Sequence, residues 1–192
     1  MLFMVLVSLF QLSQHFIGVL FFVFLGIFGA LNFSLFCFFL DLSSYCDVNW
    51  NGDPNDWKST IGWFFFYDSL ISLKSKKQNV TPRSSTEAEY CAMALTTCEI
   101  IWLHLLLANM VIYLKDLTPL HCDIKSVIHI SCNSVFHEQI KNIETDCHFT
   151  RHHLQLGTIS LPFVPSTLQI ADIFTKLHSL LCFRFLFDKL SI

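Results

Sequence analysis

Apolar and polar residues change their spacing several times along the chain, and each change marks the border of a predicted element. Residues 61–67 form a run of aromatic and β-branched residues, with short strand-like segments at 41–48 and 70–74. Turn-forming Asp, Asn, Gly and Ser residues separate these segments, which predicts three antiparallel strands. Between residues 84 and 109 apolar positions recur three or four residues apart, as on a helix that packs against a sheet.

The second half of the sequence alternates between the two patterns. It predicts strands at 117–123 and 158–164, and helices at 125–132, 143–156 and 169–190. The predicted order is therefore β-β-β-α-β-α-α-β-α. Three antiparallel strands followed by alternating strands and helices predict an α/β fold, with a mixed sheet flanked by helices.

The first 40 residues contain no Asp, Glu, Lys or Arg. The apolar run at 16–40 is long enough to span a bilayer, so a transmembrane or signal-anchor segment is one interpretation. A cleaved signal peptide fits poorly, because the start is not basic and no small-residue cleavage site is evident. The third interpretation is a soluble helix and strand that have lost their polar face. The composition changes at Asp41, which predicts an apolar extension at 1–40 and a globular domain at 41–192.

Composition limits the classes of partner. Charged residues make up 14% of the chain and the net charge is −3, so no global basic signal for nucleic acid exists. A polyanion would have to be met by a local basic patch or through metal ions. The eight cysteines include no Cys-x-x-Cys pair and predict reduced core residues of an intracellular protein.

Four acidic residues stand where predicted elements end or begin. Asp47 and Asp123 end strands, and Glu89 and Asp172 lie in the first turns of helices. Sites in open α/β sheets form at the carboxyl ends of strands. Four carboxylates gathered there could not all stay ionised without cations, and oxygen ligands suit Mg²⁺ or Mn²⁺. Taken singly, each could instead be a helix cap or a surface charge.

The start of the long helix has two candidate capping boxes. Ser84 with Glu87, and Thr86 with Glu89, both have the required three-residue spacing. From this segment alone, capping explains Glu89 better than a functional role does.

Several segments together resemble the carboxyl-terminal part of copia-type retrotransposon polyproteins. The segment at 84–90 carries SSTEAEY intact, and 171–176 carries ADIFTK intact. Further segments resemble the family's YSDADWAGDP, KSTSG, SLISWKSKKQN and HCDNKSA, in the order 45–54, 58–62, 69–79 and 121–126. The segments occur in the family's order and spacing, and they cover residues 41–190.

The resemblance implies a ribonuclease H fold with a five-stranded mixed sheet. It implies that Asp47, Glu89, Asp123 and Asp172 are the catalytic, metal-binding carboxylates, with Glu89 rather than Glu87 as the catalytic glutamate. Two Mg²⁺ or Mn²⁺ ions would then support hydrolysis of a phosphodiester.

The implied substrate is the RNA strand of an RNA–DNA hybrid, recognised through 2′-hydroxyls in a wide minor groove. Lys74, Lys76, Lys77 and Arg83 are the candidates for phosphate contacts. A solvated hairpin edge is the alternative interpretation of the same four residues.

Segments at 14–20 and 29–35 resemble the connection between reverse transcriptase and ribonuclease H. Relatives carry basic residues in this helix, where the chain has phenylalanine and leucine. Residues 1–40 are therefore interpreted either as a degenerate connection or as a membrane-spanning helix. The first implies a reverse transcriptase partner and an intracellular location; the second implies a membrane.

Some positions depart from the family pattern, namely Asn49, Trp57, Ile124 and Asn142. They leave the four carboxylates in place but keep a catalytically inactive remnant, with nucleic-acid binding only, as an alternative. His148 and His152, with Cys147, invite a zinc interpretation, but no second ligand pair has suitable spacing.

Overall fold

The computed structural model describes residues 42–67, 69–109, 114, 117–132 and 144–190. The N-terminal extension at 1–40 and Asn142 lie outside the described residues. The strands are β1 (Ser43–Asn49), β2 (Thr60–Tyr67), β3 (Ser69–Lys77), β4 (Thr118–His121) and β5 (Ile159–Ser160). The helices are α1 (Ser85–Asn109), α2 (Lys125–Cys132), α3 (Glu144–Gln155), α4 (Asp172–Thr175) and α5 (Leu180–Leu190), with a 3-10 turn at Ser166–Leu168.

The strands form a five-stranded sheet in the order β3-β2-β1-β4-β5. β1, β2 and β3 are antiparallel, whereas β4 is parallel to both β1 and β5. The predicted mixed sheet is confirmed, and so is the element order from β1 to β5. β1 and β4 are parallel neighbours, and the strands that follow them in sequence, β2 and β5, lie on opposite sides of this pair in the sheet. α/β folds form clefts at such a position.

Side chains alternate between two cores. Cys46 and Val48 of β1 pack with α1, whereas Tyr45 packs with Phe64 and Phe174 on the other face of the sheet. The rings of Tyr45 and Phe64 stack with centroids 4.8 Å apart, and His121 stacks on Tyr45 at 4.3 Å. This alternation is the ordinary consequence of the two-residue period of a strand.

The long helix begins with the first of the two candidate capping boxes. The Ser84 hydroxyl accepts the Glu87 N–H at 3.1 Å, and the Glu87 carboxylate accepts the Arg83 N–H at 2.7 Å. Glu89 is therefore not needed as a cap; it lies two residues after Glu87 and is 2% exposed. By length and composition, α1 is the one described helix that could cross a membrane, yet its buried residues pack on the sheet.

The predicted helix at 169–190 is wrong as a single element. α4 ends at Thr175, Lys176 is extended (φ −118°, ψ 154°), and α5 begins only at Leu180. Local helix propensity is overridden because Thr175 and Lys176 bond to Asp47 of β1. The predicted strand at 158–164 is also shorter than expected, reduced to β5 and an isolated bridge between Cys122 and Phe163.

Gly62 lets α4 lie directly on the sheet. It pairs with Asp47 in the β1–β2 register. A β-carbon at this position would lie 2.9 Å from Phe174 Cβ and 2.9 Å from Thr175 Cγ2. Only glycine allows this approach without displacing α4, so Gly62 fixes the distance between α4 and Asp47.

We predict that Gly62→Ala destabilises the protein by about 1–3 kcal/mol, because the added methyl group overpacks the contact with α4. Urea unfolding followed by circular dichroism measures the effect, with Ser72→Ala at an exposed β3 position as the control. Equal unfolding free energies for the two variants would contradict the proposed packing role of Gly62.

Candidate metal centre

Three carboxylates meet at the carboxyl edge of the sheet. One ligand oxygen from each of Asp47, Glu89 and Asp123 lies within 4.8 Å of the other two. Asp47 comes from β1, Glu89 from α1, and Asp123 from the loop after β4. Asp47 and Glu89 are 1% and 2% exposed, and Asp123 is half-buried. These three residues, predicted as ligands, are therefore within reach of one cation.

Glu89 is the least satisfied of the three. Its carboxylate accepts the Val48 N–H, but within the described residues its Oε2 atom is buried without a hydrogen-bond partner. Burial, and then repulsion by Asp47 and Asp123, raises the pKa of Glu89 well above its usual range. A buried carboxylate oxygen without a hydrogen-bond partner is a group that a cation or a proton would stabilise.

Asp172 lies on the other side of Asp47. It is the first residue of α4 and is joined to Asp47 through Lys176, whose Nζ lies 2.7 Å from Asp172 Oδ1 and 3.2 Å from Asp47 Oδ1. Burial, and then the charge of Asp47, raises the pKa of Asp172 to about 6. The fourth predicted carboxylate thus lies beside Asp47, and the Lys176 ammonium group pairs with both.

Lys176 and His178 are site residues that the sequence interpretation missed. Lys176 lies four residues after Asp172, a spacing that places both on one helix face and could have suggested the pair. His178 Nε2 lies 2.9 Å from the Asp172 carbonyl oxygen, a contact that no sequence pattern indicated. Burial lowers the pKa of Lys176, but Asp47 and Asp172 outweigh it and raise the pKa overall.

Ser166 and Gln169 support the ligands from the segment before α4. The Ser166 hydroxyl donates to Asp123 Oδ2 at 2.8 Å. The buried Gln169 side chain donates to the Cys46 carbonyl oxygen at 2.9 Å, next to Asp47. The site is therefore braced by a segment that sequence patterns alone did not mark as functional.

The cysteines near the site are inert. Burial raises the pKa of the Cys46 thiol, and raises that of Cys122 to about 12. Both side chains stay protonated and fill core volume, as the sequence predicted. All described cysteines are free, and Cys98, Cys132 and Cys182 are exposed rather than in the core.

The candidate phosphate contacts are not equivalent. Lys77 already pairs with Asp53 at 2.5 Å and Asp56 at 2.8 Å. Lys74 pairs with Glu99 at 3.4 Å, whereas Lys76 and Arg83 are exposed and form no ion pair with a described carboxylate. Their role in binding stays a prediction.

The zinc interpretation finds no support in the described part of the chain. There, the acidic trio is the one group of at least three His, Cys, Asp or Glu side chains close enough to share an ion. His148 instead lies 3.9 Å from Glu144 on the same helix.

Comparisons with known proteins agree with this geometry. The chain is 38% identical over 146 residues to a retrovirus-related Pol polyprotein from transposon RE2 of Arabidopsis thaliana, covering 76% of the chain and 10% of that protein. It is 36% identical over 154 residues to the corresponding polyprotein from transposon RE1 of the same plant, covering 80% and 10%. The chain thus spans about a tenth of the length of these curated relatives.

A solved structure shares the fold. LC11-RNase H1, isolated from compost by a metagenomic approach, superposes with a TM-score of 0.54 at 14% identity, covering 70% of this chain and 92% of that one. No protein-family model matches the sequence.

We predict that the metal-free protein loses stability as pH rises above 4.5, the ordinary pKa of glutamate. The folded state holds the Glu89 proton more tightly than the unfolded state, so deprotonation favours unfolding. In Glu89→Gln the free energy of unfolding should decrease less as pH rises. This variant should therefore be more stable than wild type near pH 8 in EDTA. Urea unfolding at pH 4 to 8 measures it, with the exposed Glu144→Gln as control. If the free energy of unfolding depended on pH in the same way in wild type and in Glu89→Gln, the raised pKa of Glu89 would be contradicted.

Proposed function

Because this chain is homologous to the retrovirus-related Pol polyproteins of copia-type transposons and carries a ribonuclease H-like domain, we propose that it hydrolyses the RNA strand of RNA–DNA hybrids. Asp47, Glu89, Asp123 and Asp172 would hold two Mg²⁺ or Mn²⁺ ions. The observation that carries the proposal is the buried trio within 4.8 Å, with Glu89 Oε2 unpaired in the described structure.

The donor set fits these ions. All four side chains offer carboxylate oxygens, which hard divalent cations prefer. Asp47 lies between the two halves of the site, near Glu89 and Asp123 on one side and linked to Asp172 through Lys176 on the other. It is the carboxylate that both ions would share, with Glu89 and Asp123 completing one half and Asp172 the other. Such ions, when bound, activate a water molecule and stabilise the leaving oxygen.

The protein's own groups would set the geometry for this chemistry. Ser166 holds Asp123, and Thr175 donates to Asp47 Oδ2. These bonds fix carboxylate orientation before any substrate is present, and preorganised ligands reduce the cost of reaching the transition state. Burial of Asp47 and Glu89 excludes water from the inner side of the site.

Substrate binding would use the basic residues near the β3–α1 loop. Exposed Lys76 and Arg83 are the best candidates for phosphate contacts, because Lys74 and Lys77 already have carboxylate partners. The reverse transcriptase portion of the longer relatives is the proposed protein partner. An intracellular location follows from this function, and membrane attachment through residues 1–40 remains the alternative proposal.

We predict that Asp47→Asn or Asp123→Asn lowers hybrid cleavage by at least about a hundredfold, since loss of a ligand charge weakens ion binding more than loss of a supporting group. Cleavage of a labelled RNA–DNA hybrid by the full chain, with Mg²⁺ and with Mn²⁺, measures the effect. Glu144→Gln, an exposed carboxylate change on α3, is the matched control.

Cleavage that persists in both Asn variants would refute the metal mechanism. No cleavage by the wild-type chain in either ion, together with retained hybrid binding, would instead favour the inactive remnant. Recovery of the chain in carbonate-washed membranes would favour the anchored alternative.

We predict that Lys76→Ala weakens hybrid binding more than Lys77→Ala, because Lys77 is already neutralised by Asp53 and Asp56. Loss of one phosphate contact should reduce the slope of log affinity against log salt by about one. Fluorescence anisotropy with a labelled hybrid at several salt concentrations measures both variants. Equal affinities and slopes would remove Lys76 from the proposed contact set.

A further inference from the structure

The ammonium group of Lys176 contacts two of the proposed ligands at once. Its Nζ lies 3.2 Å from Asp47 Oδ1 and 2.7 Å from Asp172 Oδ1. The side chains of Asp47 and Asp172 are 2% and 10% exposed, whereas that of Lys176 is 38% exposed. The two carboxylates are therefore enclosed, while the lysine retains a path to solvent.

Asp47 has both of its oxygens engaged by this segment. Lys176 donates to Oδ1, and the Thr175 hydroxyl donates to Oδ2. An oxygen that accepts a strong hydrogen bond from an ammonium group is not free to bind a divalent cation on the same side. Asp47 is thus occupied on the side that faces Asp172.

The backbone holds Lys176 in this position. The Lys176 N–H donates to the Asp172 carbonyl oxygen at 2.9 Å, and the Ser75 hydroxyl of β3 donates to the Phe174 carbonyl oxygen at 3.1 Å. The close contact of α4 with Gly62 fixes the same segment on β2. The contact between Lys176 and the two carboxylates is therefore built by tertiary structure, and not by a loose surface side chain.

We propose that Lys176 substitutes for the second divalent cation when the site is free of metal, and that the ammonium group and that cation exclude each other. The inference rests on the proposed function. Two enclosed carboxylates need a nearby positive charge to stay ionised, and either group can supply it. Lys176 is a positioning residue that keeps Asp47 and Asp172 together until the second ion displaces it.

Two measurable consequences follow. The second ion must displace an ammonium group, so it binds more weakly than the first, which uses Asp47, Glu89 and Asp123. Removing the ammonium group also leaves Asp47 and Asp172 in unscreened repulsion, so the metal-free protein becomes less stable while the ion-bound protein does not.

The experiment compares full-length wild type, Lys176→Met and the control Lys189→Met, whose ammonium group lies over the Phe185 ring on α5, in a different contact. Isothermal titration with Mn²⁺ alone gives the number and affinity of bound ions. Thermal unfolding in EDTA and in Mn²⁺ gives the stability of each form. We expect Lys176→Met to bind the second Mn²⁺ at least about tenfold more tightly, the size of effect that one nearby charge produces.

We also expect Lys176→Met to unfold at a lower temperature than wild type in EDTA and to recover the difference in Mn²⁺. An unchanged or weaker second Mn²⁺ affinity in Lys176→Met would overturn the inference, even if the first ion binds normally and the proposed function stands. Loss of all Mn²⁺ binding in wild type and in both lysine variants would overturn both proposals. Asp47→Asn should bind neither ion. It serves as the control for a protein that folds but has lost ion binding.

Discussion

Repulsion among carboxylates at one edge of the sheet is the constraint around which this domain is arranged. Asp47, Glu89 and Asp123 come from three separate elements, and the fold brings their oxygens within 4.8 Å. At such distances, and with burial, like charges raise each other's pKa or require a cation. Glu89 meets this constraint through a raised pKa, whereas Asp172 has both a raised pKa and the ammonium group of Lys176, which also contacts Asp47. The two halves of the site thus differ before any ion arrives.

The second half of the site depends on contacts between distant parts of the sequence. Gly62 of β2 has no side chain where Phe174 and Thr175 approach, and it stands opposite Asp47 in the strand register. Gly62, in the segment at 58–62, therefore permits the ADIFTK segment at 171–176 to reach Asp47, in the segment at 45–54. A variant that keeps the four carboxylates but has a side chain at position 62 would displace α4 and with it Asp172. The position of each carboxylate depends on the packing that supports it.

Sequence pattern predicted most elements, because aromatic and β-branched runs between turn residues mark strands and helical spacing marks α1; α2 matches its predicted bounds. It could not choose between Glu87 and Glu89 as the cap, since both have the same spacing to a hydroxyl; Ser84 and Glu87 form the bond. It also extended one helix through Lys176, because the apolar pattern continues there. What ends that helix is the bond of Lys176 to Asp47, 129 residues away in sequence, which no local pattern contains.

The proposed ion binding would be linked to folding through the same carboxylates. Within the described residues Glu89 Oε2 has no partner, so the metal-free fold carries an unfavourable buried group that the unfolded chain does not have. A cation that binds only the folded state stabilises it in proportion to the logarithm of its concentration over the dissociation constant. The departures at Asn49 and Ile124 do not replace any of these carboxylates; Asn49 is partly buried at the end of β1, and Ile124 packs against the main core. Under the proposed function, a divalent ion bound at these carboxylates would therefore stabilise the fold as well as take part in hydrolysis.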